Sequence, residues 1–399
     1  MVLSAAFIFV GFTMIMPFVP LYVQMLGVQS QGAAAIWAGA ALGVTPLVAA
    51  LVGPLWGRLA DRYGLKIMAV RISFALFLIW FLTGFVQNVY QLFGLRFLLG
   101  VFGGFNAFSI SLATQLSPRD NVGRVIGTLQ AVQISSAAVG PFIGGVMAGW
   151  IGIRHTFLVT ALLCLFSLVL FIWLYKDQPL KSLVPKAIRG TPHYGIRDMM
   201  HLPNFVALSA LLFLISTIDR SFSPAIPLFV ARLSSNAMTA ARTAGIILSL
   251  ASFAESLSAW YSGRRLSRVS PRNFLLLRLA SGCAVCLALG FTRTILQLMS
   301  LRVLLALLAG GTLTVGYTLA SEVIPESNRA TAFSLLASCA MLGGAVGPLL
   351  GGLLTSLNLN AVFLADGAIY FALAIVIFYN LWTSSPSSLI ETASRRTEA

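Results

Sequence analysis

Charge is what this sequence has least of: Asp, Glu, Lys and Arg make up 9% of its 399 residues, whereas 58% are hydrophobic. A soluble globule of that composition would turn contiguous apolar patches toward water, so the fitting solvent is a bilayer. Histidine is sparse too. His155, His193 and His201 all fall in polar connections, and the chain carries no nucleophile elbow, phosphate loop or metal-ligand spacing. An enzyme, a metal site and a bound cofactor are therefore not expected. The four cysteines, Cys164, Cys283, Cys286 and Cys339, lie within apolar stretches, which argues against a disulfide framework. Cys283 and Cys286 spell C-x-x-C on such a stretch, where packing is the expected role.

What is present is long apolar runs. A spanning helix needs roughly 20 mainly apolar residues, and the mean hydropathy of +0.91 is distributed over about twelve such runs. They cover Val2–Leu26, Ala33–Trp56, Ile67–Val86, Gln91–Thr114, Val125–Gly149, Thr156–Tyr175, Phe205–Val230, Ala240–Tyr261, Phe274–Phe291, Leu296–Ala320, Thr331–Thr355 and Ala361–Trp382. The first run is too long, and too soon followed by another, to be a cleaved signal peptide. Almost nothing polar precedes it, as expected of a start that clips a short cytoplasmic tail.

The formal charge of +15 comes from 26 basic against 11 acidic residues. A nucleic-acid binder gathers its basic residues into a patch or tail, and here they follow topology instead. With an N-terminus on the inside, only Arg154, Arg232, Arg242 and Arg293 fall in outer loops and Arg96, Arg220 and Arg302 within spans; all the others lie on the inner side. That is the positive-inside pattern. It predicts a multi-pass protein of the bacterial inner membrane with both termini cytoplasmic, and no nucleic-acid partner.

The chain is also one motif set written twice. Pro17-Phe-Val-Pro20-Leu-Tyr22 returns as Pro224-Ala-Ile-Pro227-Leu-Phe229, Gln91 to Leu99 returns from Gln297 with Arg96 matched by Arg302, and Gly140-Pro141-Phe-Ile-Gly144-Gly145 returns as Gly347-Pro348-Leu-Leu-Gly351-Gly352. Matches at one spacing mean duplication. The expected organisation is an N-terminal six-helix bundle (1–175), a polar, proline-containing cytoplasmic linker (176–203), a C-terminal six-helix bundle (204–382) and a cytoplasmic tail (383–399). Two parallel halves related by an axis along the membrane normal put a substrate site between them near mid-membrane.

Four motifs carry a resemblance. Gly57-Arg58-Leu59-Ala60-Asp61-Arg62-Tyr63-Gly64-Leu65-Lys66, between the second and third spans, resembles the major facilitator signature G-x-L-a-D-r-x-G-r-k. On the fourth span Arg96 and Gly100 fit the pattern l-x-x-x-R-x-x-q-G, with Leu99 where glutamine is common. Ser136 to Gly145 resembles the exporter-type pattern g-x-x-x-G-P-x-x-G-G, with serine for the first glycine, and Gly11 to Pro20 resembles the g-x-x-x-x-x-P-v-x-P signature of twelve-helix drug/proton antiporters. The chain is thus similar to the major facilitator superfamily over nearly its whole length. The resemblance implies an all-α polytopic membrane protein with twelve transmembrane helices in two pseudo-symmetric six-helix halves, functioning as a monomer.

It further implies a conformational gate at Gly57, Asp61, Arg62 and Gly64, Asp61 docking on the positive end of the eleventh helix. The matching loop, Gly263 to Arg268, has Ser267 in place of the acid, so one such latch is expected. The exporter-type motif, Gly140, Pro141, Gly144 and Gly145, implies a tight interface built on small-x-x-x-small packing and points to efflux. Arg96 is associated in the family with proton transfer, although its duplicate Arg302 leaves a structural role for both equally open.

Proton exchange needs a membrane-embedded carboxylate. Three of the acids fall within spans: Asp219, Glu255 and Asp366. Asp219 is expected to be a proton carrier, a substrate anchor or half of an ion pair with Arg220. Glu255 has no adjacent base and ranks beside it. Asp366 is placed a few residues into the last span, near the outer surface, where hydration satisfies it. All three are in the second half, whereas proton-coupled relatives often carry an acid in the first. Met14, Phe18, Tyr22, Gln133, Phe222 and Tyr317, with Gln24 and Gln130, are the candidate cavity lining, since aromatic and methionine surfaces adapt to varied apolar ligands. The expected partners are protons, lipid and a small-molecule substrate, exported as a lipophilic or cationic compound by proton antiport; the alternative is an uptake or facilitated-diffusion carrier for a small nutrient.

Overall fold

A computed structural model of the chain describes residues 2–105, 108, 109, 112, 122–174, 205–234, 236–266, 268–324 and 329–380. The described residues are helical, with eleven helices long and apolar enough to cross a membrane and a shorter apolar helix, Val89–Phe102, filling the twelfth place. In chain order the spans are Val2–Met25, bent where a 3-10 turn at Met16–Phe18 carries Pro17; Gln31–Tyr63; Leu65–Thr83; Val89–Phe102; Val122–Ile151; Ile153–Leu174; Phe205–Leu233; Ala237–Arg265; Pro271–Leu289; Ile295–Ala309 with Thr312–Val323; Arg329–Leu357; and Ala361–Asn380. The proposed linker and tail lie outside the described residues.

The two halves repeat the same packing. The first helix packs on the fifth and sixth, the third on the sixth and the second on the fourth; in the second half the seventh packs on the eleventh, the ninth on the twelfth and the eighth on the tenth. Across the halves, the second helix packs on the eleventh and the fifth on the eighth. Large apolar side chains such as Leu51, Trp150, Trp173 and Phe253 stay exposed, as a lipid-facing surface requires.

Three expectations change. The motif at Gly57–Lys66 is not a loop: the second helix runs on through Arg62 to Tyr63, because Arg58, Leu59 and Ala60 are good helix formers, and only Gly64, at φ +88°, breaks the chain before the third helix begins. The fourth and tenth spans are interrupted rather than continuous. The breaks fall at Gly103-Gly104 and Gly310-Gly311, where Gly104 and Gly311 adopt φ of +82° and +72°, a region glycine enters without strain. Finally, Arg71 and Arg278, counted with the inner-side charges although they fall inside the predicted spans Ile67–Val86 and Phe274–Phe291, sit inside the third and ninth helices, Arg278 only 4% exposed.

Candidate functional site

A cavity of about 160 Å³ lies inside the second half, between the seventh, eighth, tenth and twelfth helices. Asp219 and Phe222 reach it from the seventh helix, Glu255 from the eighth, Arg302 from the tenth and Tyr370 from the twelfth; the glycine break of the tenth helix forms its end. The Asp219 and Glu255 side chains face the same cavity and interact, Arg302 is within electrostatic reach of both Glu255 and Asp366, and Arg220 is within electrostatic reach of Glu255. The Arg302 guanidinium stands 4.8 Å from the centroid of the Phe222 ring, a cation–π arrangement, and its Nε has no hydrogen-bond partner. Arg220, next to Asp219 in sequence, turns onto the eleventh helix, where a Cβ at Gly347 would meet its own Cβ at 2.8 Å. Successive helical residues point about 100° apart, so Asp219 faces the cavity while Arg220 packs on the neighbouring helix and stays within electrostatic reach of Glu255.

The tenth-helix break is fastened from the ninth helix. Arg278 Nη1 donates to Ser258 Oγ at 2.9 Å and to the carbonyl oxygens of Leu308, at 3.4 Å, and Gly310. Ser258 Oγ donates in turn to the Leu307 and Gly310 carbonyls at 2.7 and 2.8 Å. A guanidinium at a helix C-terminus complements the negative end of the helix dipole. Gly310 abuts Glu255 itself: a Cβ there would lie 3.1 Å from the Glu255 Cα.

The halves close on each other through glycine. Gly39 of the second helix meets Pro348 and Gly352 of the eleventh, and Gly245 of the eighth meets Pro141 and Gly145 of the fifth, leaving no room for a Cβ at Gly39 or Gly245. Gly32 against Ser356 and Gly43 against Ala345 extend the first seam. Gly140 and Gly144 pack on Thr13 and Met14 of the first helix, and Thr13 Oγ1 donates to the Ser136 carbonyl at 2.7 Å. These contacts gather toward the membrane face that carries residues 26–30, 234, 236 and 358–360. Gly39 and Gly245 were missed from sequence, yet the signal was there: Ala38-Gly39-Ala-Ala-Leu42 recurs as Ala244-Gly245-Ile-Ile-Leu248.

The family model of the Major Facilitator Superfamily matches residues 1–295 and 208–398. The chain belongs to the major facilitator superfamily. It is 32% identical over 376 residues to "Multidrug resistance protein MdtG" of Yersinia enterocolitica, covering 93% of this chain and 87% of that protein. It is 31% identical to "Multi-drug resistance efflux pump PmrA homolog" of Lactococcus lactis, with 86% and 84% covered. Among solved structures it resembles a bacterial homologue of the human lysosomal transporter Spinster in an inward-facing, occupied conformation (TM-score 0.77, 16% identity, 96% of both chains). It also resembles a D-xylose–proton symporter (TM-score 0.74, 14% identity, 95% and 96% covered). The protein is a multi-pass membrane transporter and not an enzyme.

Within this transporter the remaining candidates are dispersed. Of the eight candidate lining residues, Phe222 lines the cavity. Met14, Phe18 and Tyr22 are fully buried in packing, Met14 against Gly144 and Tyr22 donating from its hydroxyl to the Thr83 carbonyl at 2.8 Å. Gln133 is half-buried on the fifth helix, and Tyr317 stacks on Phe333 at 6.1 Å. Arg96 is 3% exposed, its guanidinium 4.9 Å from the Trp80 ring centroid and its Nε and one terminal nitrogen without partners. At the gate motif, Arg62 lies 5.5 Å from the Tyr63 ring and Gly64 makes the turn; the side-chain surroundings of Gly57 and Asp61 are outside what is described.

Proposed function

We propose that this transporter exports lipophilic or cationic small molecules from the bacterial cytoplasm by proton antiport, with Asp219 and Glu255 as the proton-exchanging pair. The observation that carries the reading is the two carboxyl groups meeting beside Arg302 in a membrane-embedded cavity. An ionised carboxylate only accepts hydrogen bonds, so in this reading one carboxyl of the pair carries the proton that the antiport exchanges. A cationic cargo arriving against Phe222 and the pair releases that proton, and the departing cargo lets it return. The printed names of the multidrug-resistance relatives support efflux of drugs.

In this reading the positive-inside distribution orients the transporter in the inner membrane with both termini cytoplasmic, and the glycine seams close its outer face. The Asp61 latch then belongs to the alternate state, in which the seams part and the second helix's inner end docks on the start of the eleventh. Arg96 and Gly57, Arg62 and Gly64 serve that gating, Gly140, Pro141, Gly144 and Gly145 seal the halves, and Met14, Phe18, Tyr22, Gln133 and Tyr317 frame the path as it opens. The transporter works as a monomer.

The test is ethidium movement in proteoliposomes under an imposed pH gradient. Gradient-driven movement that is lost in Glu255→Gln or Asp219→Asn supports the antiport; movement indifferent to the gradient, or none, overturns it in favour of a facilitator or nutrient carrier.

A further inference from the structure

The cavity of about 160 Å³ is well below the roughly 300–1,000 Å³ of sites that enclose a drug-sized molecule. It admits a head group, and the body of a cargo lies outside it. Asp219 and Glu255 are half-buried and so open to that outside. Asp366, on the twelfth helix, is not: it is 1% exposed rather than hydrated near the surface as its sequence position suggests, and its Oδ2 accepts a hydrogen bond of 2.6 Å from Ser221 Oγ. With Arg302 beside it, Asp366 belongs to the framework of the site.

What the body of a cargo meets is set by the open face of the seventh helix. Val206, Phe213, Arg220 and Pro227 follow at seven-residue spacing and therefore lie on one face. Val206 and Arg220 are exposed and Phe213 is half-buried, whereas Pro227 is buried. Within its own half the seventh helix is covered by the eighth, eleventh and twelfth helices and the inner part of the tenth; its other neighbours are the first and second helices, across the halves. The face that opens below Pro227 thus looks into the space between the halves, on the inner side of the glycine seams. Arg220 supplies its charge. The stem of Arg220 runs along the eleventh helix, where a Cβ at Gly344 would lie 3.9 Å from its Cγ. Its guanidinium donates no hydrogen bond among the described residues and stays within electrostatic reach of Glu255.

Opposite charges therefore stand side by side, two acids in the recess and a guanidinium on its rim. A cargo that is only a cation is drawn by the acids and repelled by Arg220. One that also carries a carboxylate answers both, because a guanidinium matches a carboxylate with two parallel donors. That second ion pair forms at the open rim, so it adds no buried charge. We infer that Arg220 is a cargo-binding residue and that the preferred cargo is an amphiphile bearing both an ammonium and a carboxylate group. The inference rests on the proposed export site and deepens it by naming the cargo class. A fixed counter-ion for Glu255 is the competing role of Arg220.

Fluorescence titration of the purified protein in an uncharged detergent, with no gradient, separates the two. The probes are Nε-dansyl-lysine and dansylcadaverine, which is the same molecule without the carboxylate. Wild type is expected to bind the first about tenfold more tightly, the scale of a hydrogen-bonded charge pair. Arg220→Gln should abolish that preference, Arg220→Lys should keep part of it, and Asp219→Asn should weaken both probes. A preference that survives in Arg220→Gln, with both affinities shifted alike, makes Arg220 a counter-ion and overturns the inference. So does wild type that binds the two probes equally, prefers dansylcadaverine or binds neither, an outcome that needs no variant to fold. Failure of the antiport itself registers separately, as ethidium movement indifferent to the gradient.

Discussion

The two halves of this transporter began as one sequence, and the positions where they now differ teach more than those where they agree. Arg96 and Arg302 occupy matching places, both buried and both over an aromatic ring. Around Arg302 stand Asp219, Glu255 and Asp366; the positions that answer to the first two in the other half are Phe12 and Ala49, and Asp366 answers to the Val159-Thr160 pair, neither of them an acid. The first half has kept the cation and lost, or never acquired, the acids. The glycine breaks diverge in the same sense. In the tenth span Gly310 and Gly311 press against Glu255 and Ala259, and Arg278 ties the broken helix end down. In the fourth, Gly104 meets nothing within 4 Å, and the matching Arg71 lies 3.4 Å over the ring of Trp56, whose Nε1 donates to the Val101 carbonyl at 2.6 Å. One half carries the chemistry directly on its hinge, while the other, among the described residues, sets Arg71 and Trp56 beside a similar hinge with no acid on it.

From that division, Glu255→Gln should have the largest effect, reducing gradient-driven ethidium efflux by about a hundredfold, the lower range for loss of a positioned proton carrier. Placing a carboxylate at the matching first-half position, in Ala49→Glu with Glu255→Gln, should not restore it, because no acid partner faces that site; restoration would break the comparison. Gly245→Leu comes next. Its side chain meets the Pro141 carbonyl and the Gly145 backbone, so the outer face should fail to close, with cysteine labelling of the cavity from outside increasing and transport lost.

The arginines should then separate by stability. Arg302→Met leaves the acids without their cation and is expected to cost about 3 kcal/mol, a lowered thermal midpoint in detergent. Arg96→Met removes a buried charge that has no carboxylate and should leave the midpoint within about 1 kcal/mol of wild type or raise it. Equal losses for the two would make Arg96 a paired group in its own right. The smallest contrast is between the hinges: Arg278→Ala removes charge-assisted bonds to a helix end, about 2 kcal/mol, and Trp56→Phe a single neutral bond, about 1 kcal/mol, both read from the same unfolding scans.

Much of this was legible in one dimension because a bilayer imposes simple rules. Each span must be long and apolar, and basic residues must stay on one side, so number, order and duplication of helices follow from composition. The acid candidates were equally legible, since a carboxylate in an apolar run is rare. Which of them meet was not. Asp366 looked peripheral by position along its helix, and Arg278 looked like an inner-side charge; both are buried because helices from other parts of the chain cover them and supply Ser221 and the Gly310 carbonyl. The lining candidates show the converse, as Met14 and Tyr22 carry the right chemistry but are taken up by packing against Gly144 and by the Thr83 carbonyl.

By itself, then, the sequence determined a twelve-span, twice-written transporter whose span-embedded acids all lie in the second half, because hydropathy, charge bias and repetition are properties of residues along a chain. The tertiary structure alone decided that Asp219 faces Glu255 while Arg220 packs on the eleventh helix, that Gly39 and Gly245 are the partners of the glycine–proline motifs, and that Asp366 joins Arg302. Those are matters of helix rotation and close approach, fixed by how neighbouring surfaces fill space.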